Sequence, residues 1–547
     1  LSLSFLYGVL SYQHYNPSSH DFYINSIVFS LCSFGLFIYF FKKNIKIYVN
    51  SLVWVFLGLI FLVQPLINKI IYVDGLVFPI AETFLVLMLS IAISNIENKE
   101  SFVKKLSVIL FVTAILLFFT QISHVLKIMP IVEIMRLPLQ KQRFSGNLFQ
   151  PNQTAFIFVV GVISVLYFFN YFKKYNIVKY LLVLILSIGV ALTVSRSGLI
   201  ILVCSVLIFN LYSNYYENKK IYYLKDLAFS ISGLLLGFFL YNKYSISENA
   251  IERIGRSVDD PRLSLMYQSW LIITEHPITG IGWKNFASGG FQHFDQMEWI
   301  SLSDHSHFIF GQLLSEFGLL GLSLILVFFY IFIKNLLCIS NLKEAYLCSV
   351  LLVFIAYSCF EYPLWYLRYL FIFSIFFSLF DRSGRFLYKI EKGYLLSIIA
   401  LSLTFSSIYY AYQYNKLAYI NDIVFDSKYS LRERTEKLTE MRSVFGFSYF
   451  NDLLLYQTME VDGFLLQDQI LIGERLVNYI PMNQYLIKQG TLLAFDNQNE
   501  KSLYYFKASC HYDFGQNCGN TKEYLKAFAK QYPEYFNNIY VKIDTDF

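Results

Sequence analysis

The sequence is poor in charge. Only 15% of its 547 residues are Asp, Glu, Lys or Arg, while 56% are hydrophobic and the mean hydropathy is +0.48. A soluble enzyme needs a polar surface around its core, and this composition points instead to a polytopic membrane protein. Metal-binding patterns are missing too. There is no Cys/His cluster, no H-x-x-x-H spacing and no group of carboxylates suited to Mg²⁺. No repeat is regular enough to mark a solenoid, and no inverted repeat is visible. Cysteine is sparse. Cys32, Cys204, Cys338, Cys348 and Cys359 lie in or beside apolar runs, as small packing residues do. Cys510 and Cys518 lie in a polar tail, where a local disulfide is open to them on an oxidising side. The chain opens on Leu1, so the native start is expected upstream, and no cleavable signal peptide is argued from it.

Aromatic and aliphatic residues are abundant: 55 Phe and 44 Tyr suit lipid-facing rings and interfacial belts. Apolar runs of spanning length lie near 1–11, 24–41, 50–66, 76–95, 106–123, 153–171, 180–194, 197–212, 227–241, 307–333, 345–360, 364–380 and 394–414. The expected fold is an all-α polytopic membrane protein of about 13 transmembrane helices. Residues 1–414 form its membrane region, with a large outer loop over 242–306. Residues 415–547 are polar and helical in periodicity, and read as a helical domain of ordinary size.

Charge orients these runs. The loops KKNIK, ENKESFVKK, KKYNIVK, NKKIYYLK, KNLLCISNLK and DRSGRFLYKIEK carry 18 Lys and Arg. The alternate short loops carry about six, which puts the lysine-rich set in the cytoplasm. Residues 124–152, 242–306 and 415–547 then face outward. Because the lysines sit in short loops, the net charge of +6 does not imply a nucleic-acid partner. Both lysine clusters flanking 180–212 need the cytoplasm, so this segment must cross twice. Its 33 residues cover only about 50 Å as helix, and two crossings need about 60 Å. The turn Thr193–Leu199, which holds Arg196, is therefore expected below the outer surface.

Polar residues at the mouths of spanning helices are costly and mark candidate sites. Arg143, Gln150 and Asn152 stand in QRFSGNLFQPNQT, Arg196 in the recessed turn and Arg262 in DDPRLSLMYQSW. His305 and His307 open the 307–333 run, and CFEYPLWYLRYL holds Glu361 and Arg368. All fall on one face under a topology derived from lysines alone. Each has a structural reading beside the functional one. The structural reading of Arg143 is snorkelling at the interface, that of Arg196 a salt bridge, that of Arg262 a solvated loop residue, and that of Glu361 a pair with Arg368 or with an arginine of the cluster. Asp304 or Ser303 reads as an N-cap, and Trp283, Lys284 and Asn285 as loop architecture. On a helix, positions i and i+2 diverge by about 200°, so His305 and His307 would not chelate a metal together. Several arginines without a carboxylate cluster suit a pyrophosphate. A histidine suits a general base for a hydroxyl.

Together, RFSGNLFQPNQTA (143–155), LTVSRSGL (192–199), PRLSLMYQSW with HPITGIGW (261–283), HSHFIFGQLLSEFGLLG (305–321) and EYPLWY (361–366) resemble the bacterial O-antigen ligase and polymerase superfamily. The resemblance runs from about 140 to the C-terminus and is nearest to the branch that transfers oligosaccharides to type IV pilins. It implies en bloc transfer of an oligosaccharide from a polyprenyl-pyrophosphate carrier to a Ser/Thr hydroxyl of a pilin-like protein, without a cofactor. It also implies an inner-membrane, multi-pass protein whose site and tail face the periplasm. His307 is the implied base, with Arg196 and Glu361 as catalytic partners. Arg143, Gln150, Asn152, Arg262, His305 and Arg368 are the implied substrate contacts. Two positions depart from the pattern: Phe308 replaces the usual Asn, and Arg368 stands where an aromatic residue is common. The rival readings are an O-antigen ligase or polymerase with a sugar hydroxyl acceptor, and a lipid-linked glycan transporter. A transporter fits less well, because the charges cluster at one face.

Overall fold

The computed structural model describes residues 2–12, 14–17, 21–135, 137, 143–217, 222–245, 261–297, 303–382, 384–442, 444–461, 465–512 and 518–547. Parts of the expected outer loop, 246–260 and 298–302, lie outside the described residues. The chain is an all-α polytopic membrane protein. Among the described residues, nine helices are long and apolar enough to span: Phe22–Phe40, Val49–Ile67, Val73–Ser94, Lys99–Leu126, Pro151–Asn170, Arg196–Ser213, Leu224–Tyr244, Leu319–Leu336 and Tyr394–Phe425. The other four expected runs form shorter helices, Ser2–Leu10, Asn176–Leu192, Leu342–Ser358 and Leu367–Phe380. The 307–333 run differs from expectation. It breaks into Ile309–Phe317 and Leu319–Leu336, because Gly318 takes a φ of 56° between them.

Two compact units emerge, one within 1–55, 82–259 and 327–415, the other within 56–81, 260–326 and 416–547. In the first, Pro151–Asn170 is the most enclosed spanning helix. It packs on Lys99–Leu126, Asn176–Leu192, the helix beginning at Arg196, and Leu342–Ser358. Its apolar sequence has no polar face, as a helix surrounded by helices requires. Tyr167 stacks on Tyr346 with ring centroids 4.2 Å apart, and the Tyr346 hydroxyl lies 2.8 Å from Ser164 Oγ. A buried ion pair, Lys179 Nζ to Asp226 Oδ1 at 2.6 Å, joins Asn176–Leu192 to Tyr222–Tyr244. A two-stranded antiparallel ribbon, Ile45–Tyr48 with Phe386–Ile390, connects distant parts of the chain.

In the second unit, the tail folds as successive short helices from Leu431–Met441 to Pro533–Asp546. Ser430 and Glu433 form a capping box that starts the first of them. Asn483–Phe495 packs on Asn499–Cys510, and Cys518–Gln531 on Pro533–Asp546. Cys510 and Cys518 are joined by a disulfide. Phe291, Phe294 and Met297 share a core with Tyr456, Ile470 and Leu486, so this segment and the tail bury apolar surface together.

Removing one partner of a buried ion pair costs about 3–5 kcal/mol, since the other charge is left unpaired. Lys179→Ala and Asp226→Ala are each expected to lower thermal stability in detergent. The double variant should lose clearly less than the sum of the two. Additive losses would show that the pair is not coupled.

Candidate functional site

In the first unit, buried amides fix the loop ahead of Pro151. Gln121 Nε2 donates to the carbonyls of Phe144 and Gly189, both at 2.9 Å. Asn147 Nδ2 donates to Val9 O and Ser11 O at 2.8 and 3.0 Å. Asn147 was not singled out by the sequence reading. Its signal is only its place in the motif, since its partners lie far away in the chain. Gln150 is the N-cap of Pro151–Asn170, accepting from Gln153 N at 2.9 Å.

Held this way, Arg143 donates through Nε to Thr193 O at 2.9 Å and through a terminal nitrogen to Asn152 Oδ1 at 2.8 Å. Asn152 Nδ2 in turn donates to Glu361 Oε1. Arg143, Asn152 and Glu361 thus form one chain of hydrogen bonds ending on the Thr193 turn. Thr193, Val194 and Ser195 of that turn are buried, and Arg196 begins the next helix. A small pocket here is lined by Gln150, Asn152, Gln153, Tyr357, Glu361 and Tyr362, among others.

Arg368 lies apart from this chain of bonds. It is fully buried and faces Gly8 O at 3.1 Å, Asp21 Oδ2 at 3.2 Å and Gln153 Oε1 at 2.7 Å. Its guanidinium also sits over Tyr366 and Tyr369, 4.7 and 5.1 Å from the ring centroids. Asp21 is shared with His14 Nδ1 at 2.7 Å. Arg368 therefore ties four segments together. Of the two partners offered for Glu361, Arg368 pairs instead with Asp21, while Glu361 accepts from Asn152, which is bonded to Arg143.

In the second unit, Arg262 lies in the first turn of Pro261–Glu275. Like Arg196, it is a cation at the positive end of a helix, where its charge opposes the macrodipole unless an anion is present. The loop after this helix docks on the end of Ile309–Phe317 by backbone bonds. Ile281 N donates to Ser315 O at 2.8 Å, Gly282 N to Glu316 O at 3.1 Å, and Leu319 N to Ile278 O at 3.0 Å. The approach is so close that a Cβ on Gly280 would lie 2.3 Å from the Glu316 carbonyl carbon, and Gly280 also has φ +67°. Trp283 stacks on Phe317, with an interplanar angle of 2°. Gly280 is thus explained by this contact, while Gly282 is explained by its own φ of +99°.

Lys284 follows, and it is more than loop architecture. Its N–H donates to Glu316 Oε1 at 2.9 Å, and its Nζ pairs with Asp304 Oδ2 at 2.8 Å. Burial pulls the Lys284 ammonium down, but Asp304 outweighs it and the net direction is up. The other Asp304 oxygen meets His305 Nδ1 at 2.6 Å. Neither Asp304 nor Ser303 caps a helix, contrary to expectation. Phe308 occupies the N-cap of Ile309–Phe317 without a side-chain bond, and Gln312 Oε1 reaches back to Ser306 N at 2.6 Å. The two histidines lie in the turn before the helix, so the helical divergence does not apply. His307 has φ +54°, and its ring meets that of His305 with centroids 4.4 Å apart.

Glu316 is the residue that the sequence reading missed, hidden in an apolar run. It is buried and lies outside the spanning helix Leu319–Leu336. Burial pushes its carboxyl up to about 8, against the opposing pull of Lys284.

The fold and these clusters define a multi-pass membrane protein with cationic helix starts and a histidine turn at its polar positions. Residues 181–326 match the family model described as O-antigen ligase, whose members are glycosyltransferase-like ligases. That match supports the superfamily resemblance for this segment. No match was found among curated proteins.

Between pH 4.5, the ordinary carboxyl value, and about 8, Glu316 holds its proton in the folded protein and loses it in the unfolded chain. Stability from this group therefore falls as pH rises through that window. Glu316→Gln, neutral throughout, should lose less thermal stability than wild type between pH 5 and pH 8. Equal losses in the two proteins would remove the effect.

Proposed function

We propose that the chain is an O-linked protein oligosaccharyltransferase of the bacterial inner membrane, with its site and tail domain (415–547) facing the periplasm. The observation that carries this reading is that Arg196, Arg262, His305 and His307 all lie within the matched segment 181–326. The donor is a polyprenyl-pyrophosphate-linked oligosaccharide, and the acceptor is a Ser or Thr hydroxyl of a pilin-like protein. Arg196 and Arg262 are each read as a phosphate-binding group, with a guanidinium at the N-terminal end of its own helix, where anions are favoured. Charge develops there as the carrier leaves, so these groups stabilise the transition state more than the ground state.

His307 takes the acceptor proton. Arg143 acts through its bonds to the Thr193 turn and Asn152, with Glu361 and Gln150 completing that polar lining. Arg368 supports this lining from behind through Gln153. The tail helices present the acceptor. The scheme needs no metal. The pilin-glycosylating branch is preferred over ligase and polymerase readings because EYPLWY is followed by a helical tail.

The test is co-expression with a glycan pathway and a candidate pilin, read by intact mass of the pilin. His307→Ala should abolish transfer while membrane expression persists, and full activity would remove it from the base role. Arg196→Lys should also be strongly impaired, by about tenfold or more, since lysine cannot make the bidentate contact. A wild-type rate for it would leave only simple charge pairing. Transfer should survive EDTA. Sugar-acceptor products with an unmodified pilin would favour a ligase or polymerase.

A further inference from the structure

We propose that Asp304, anchored by Lys284, makes His305 a positioning residue that fixes the His307 imidazole for proton transfer. The inference rests on the reading of His307 as the base, and its evidence is the turn itself. Asp304 uses its two oxygens in opposite directions, Oδ2 on Lys284 Nζ at 2.8 Å and Oδ1 on His305 Nδ1 at 2.6 Å. An ionised carboxylate only accepts hydrogen bonds, so His305 carries a proton on Nδ1 whether its ring is neutral or charged. Neutral His305 is therefore held as one tautomer, with its lone pair on Nε2.

The carboxylate is fixed in turn. Lys284 follows Trp283, which stacks on Phe317, and its own N–H is bound to Glu316. The backbone on the other side is fixed by Ser303 Oγ, which donates to His305 O at 2.6 Å. Ser306 Oγ donates to Phe308 O at 2.6 Å. Between these bonds, His307 adopts its left-handed φ of 54°, a conformation unfavourable for a non-glycine residue. A helical His307 would point away from His305. The strained one brings the two rings to 4.4 Å, at an interplanar angle of 47°. Besides Lys284 and Asp304, the groups that face the cluster are Glu316, Tyr449 and Tyr479.

In the transfer step, the acceptor hydroxyl gives its proton to His307 and its oxygen bonds to the anomeric carbon. The bond from that carbon to phosphate breaks, and its electron pair leaves with the polyprenyl pyrophosphate. The proton then passes from His307 to the leaving phosphate or to water. The positive charge that arises on His307 lies against a ring whose other side is bound to an anion. Asp304 thus orients the neighbour of the base and offsets the charge formed beside it.

The test has two arms. ¹⁵N-histidine NMR of the full-length protein in lipid bilayers, with His305 identified by loss of its signal in His305→Gln, should show the Nδ1–H form. Asp304→Asn should lose that signature and transfer glycan at least about 100-fold more slowly, and Asp304→Glu should recover to within about tenfold of wild type. Retention of the Nδ1–H form in Asp304→Asn overturns the proposal. So does wild-type transfer by that variant when His307→Ala is inactive. If His307→Ala still transfers, the base assignment fails instead, and the tautomer arm alone upholds or overturns the hold of Asp304 on His305.

Discussion

The second unit depends on a short stretch of backbone pairing between the Ile278–Gly282 loop and the end of Ile309–Phe317. Three N–H···O bonds there satisfy groups that a helix end leaves open, and they do so only because Gly280 and Gly318 have no side chains. From this contact follow the stacking of Trp283 on Phe317, the seat of Lys284 beside Glu316, and the reach of Lys284 to Asp304. Without it, the histidine turn would have no fixed wall on the Lys284 side. The order of dependence runs from glycine, to backbone approach, to ion pair, to imidazole.

Much of the fold was legible because hydropathy measures a real constraint. All thirteen apolar runs correspond to helices, although four are shorter than a straight crossing requires. The run 307–333 was misread as a single helix. Phe308, Ile309, Phe310, Leu313 and Leu314 look as apolar as the residues of the following span, and hydropathy cannot see that Gly318 turns the chain. The candidate site was legible as residue types. Arg143, Asn152 and Glu361 were found by their unusual place beside apolar runs, and they share one chain of bonds. Their partners were not legible. The use of Asp304 is set by Lys284, and that of Arg368 by Asp21 and Gly8, and such distant contacts leave no local pattern. Glu316 was missed because one acidic residue on an amphipathic turn looks like a solvated face.

The arginines illustrate two ways of keeping a cation among apolar helices. Arg368 is surrounded by a carboxylate, a carbonyl, an amide oxygen and two aromatic faces, so its charge is used within the protein. That arrangement is stiff, and it anchors the N-terminal segment through Gly8 and Asp21. Arg196 and Arg262 are placed differently, at helix starts and only half-buried. A cation is unfavourable in that position by itself and becomes favourable beside an anion. The same residue type is thus held in two different ways, enclosed in one place and at a helix start in the others.

The small ribbon has a consequence for how the protein is made. Ile45 pairs with Ile390, and Tyr48 with Phe386, so the first strand has no partner until nearly the whole membrane region has been synthesised. At ribosomal rates of about 5–20 residues per second, that delay is tens of seconds. Throughout it, Phe22–Phe40 is already long and apolar enough to enter the bilayer, while its link to the last spanning helix does not yet exist. The ribbon thus closes late, as a clasp between the segment that follows Phe22–Phe40 and the segment that precedes Tyr394–Phe425. Formation of this contact therefore waits on the synthesis of everything between its two strands.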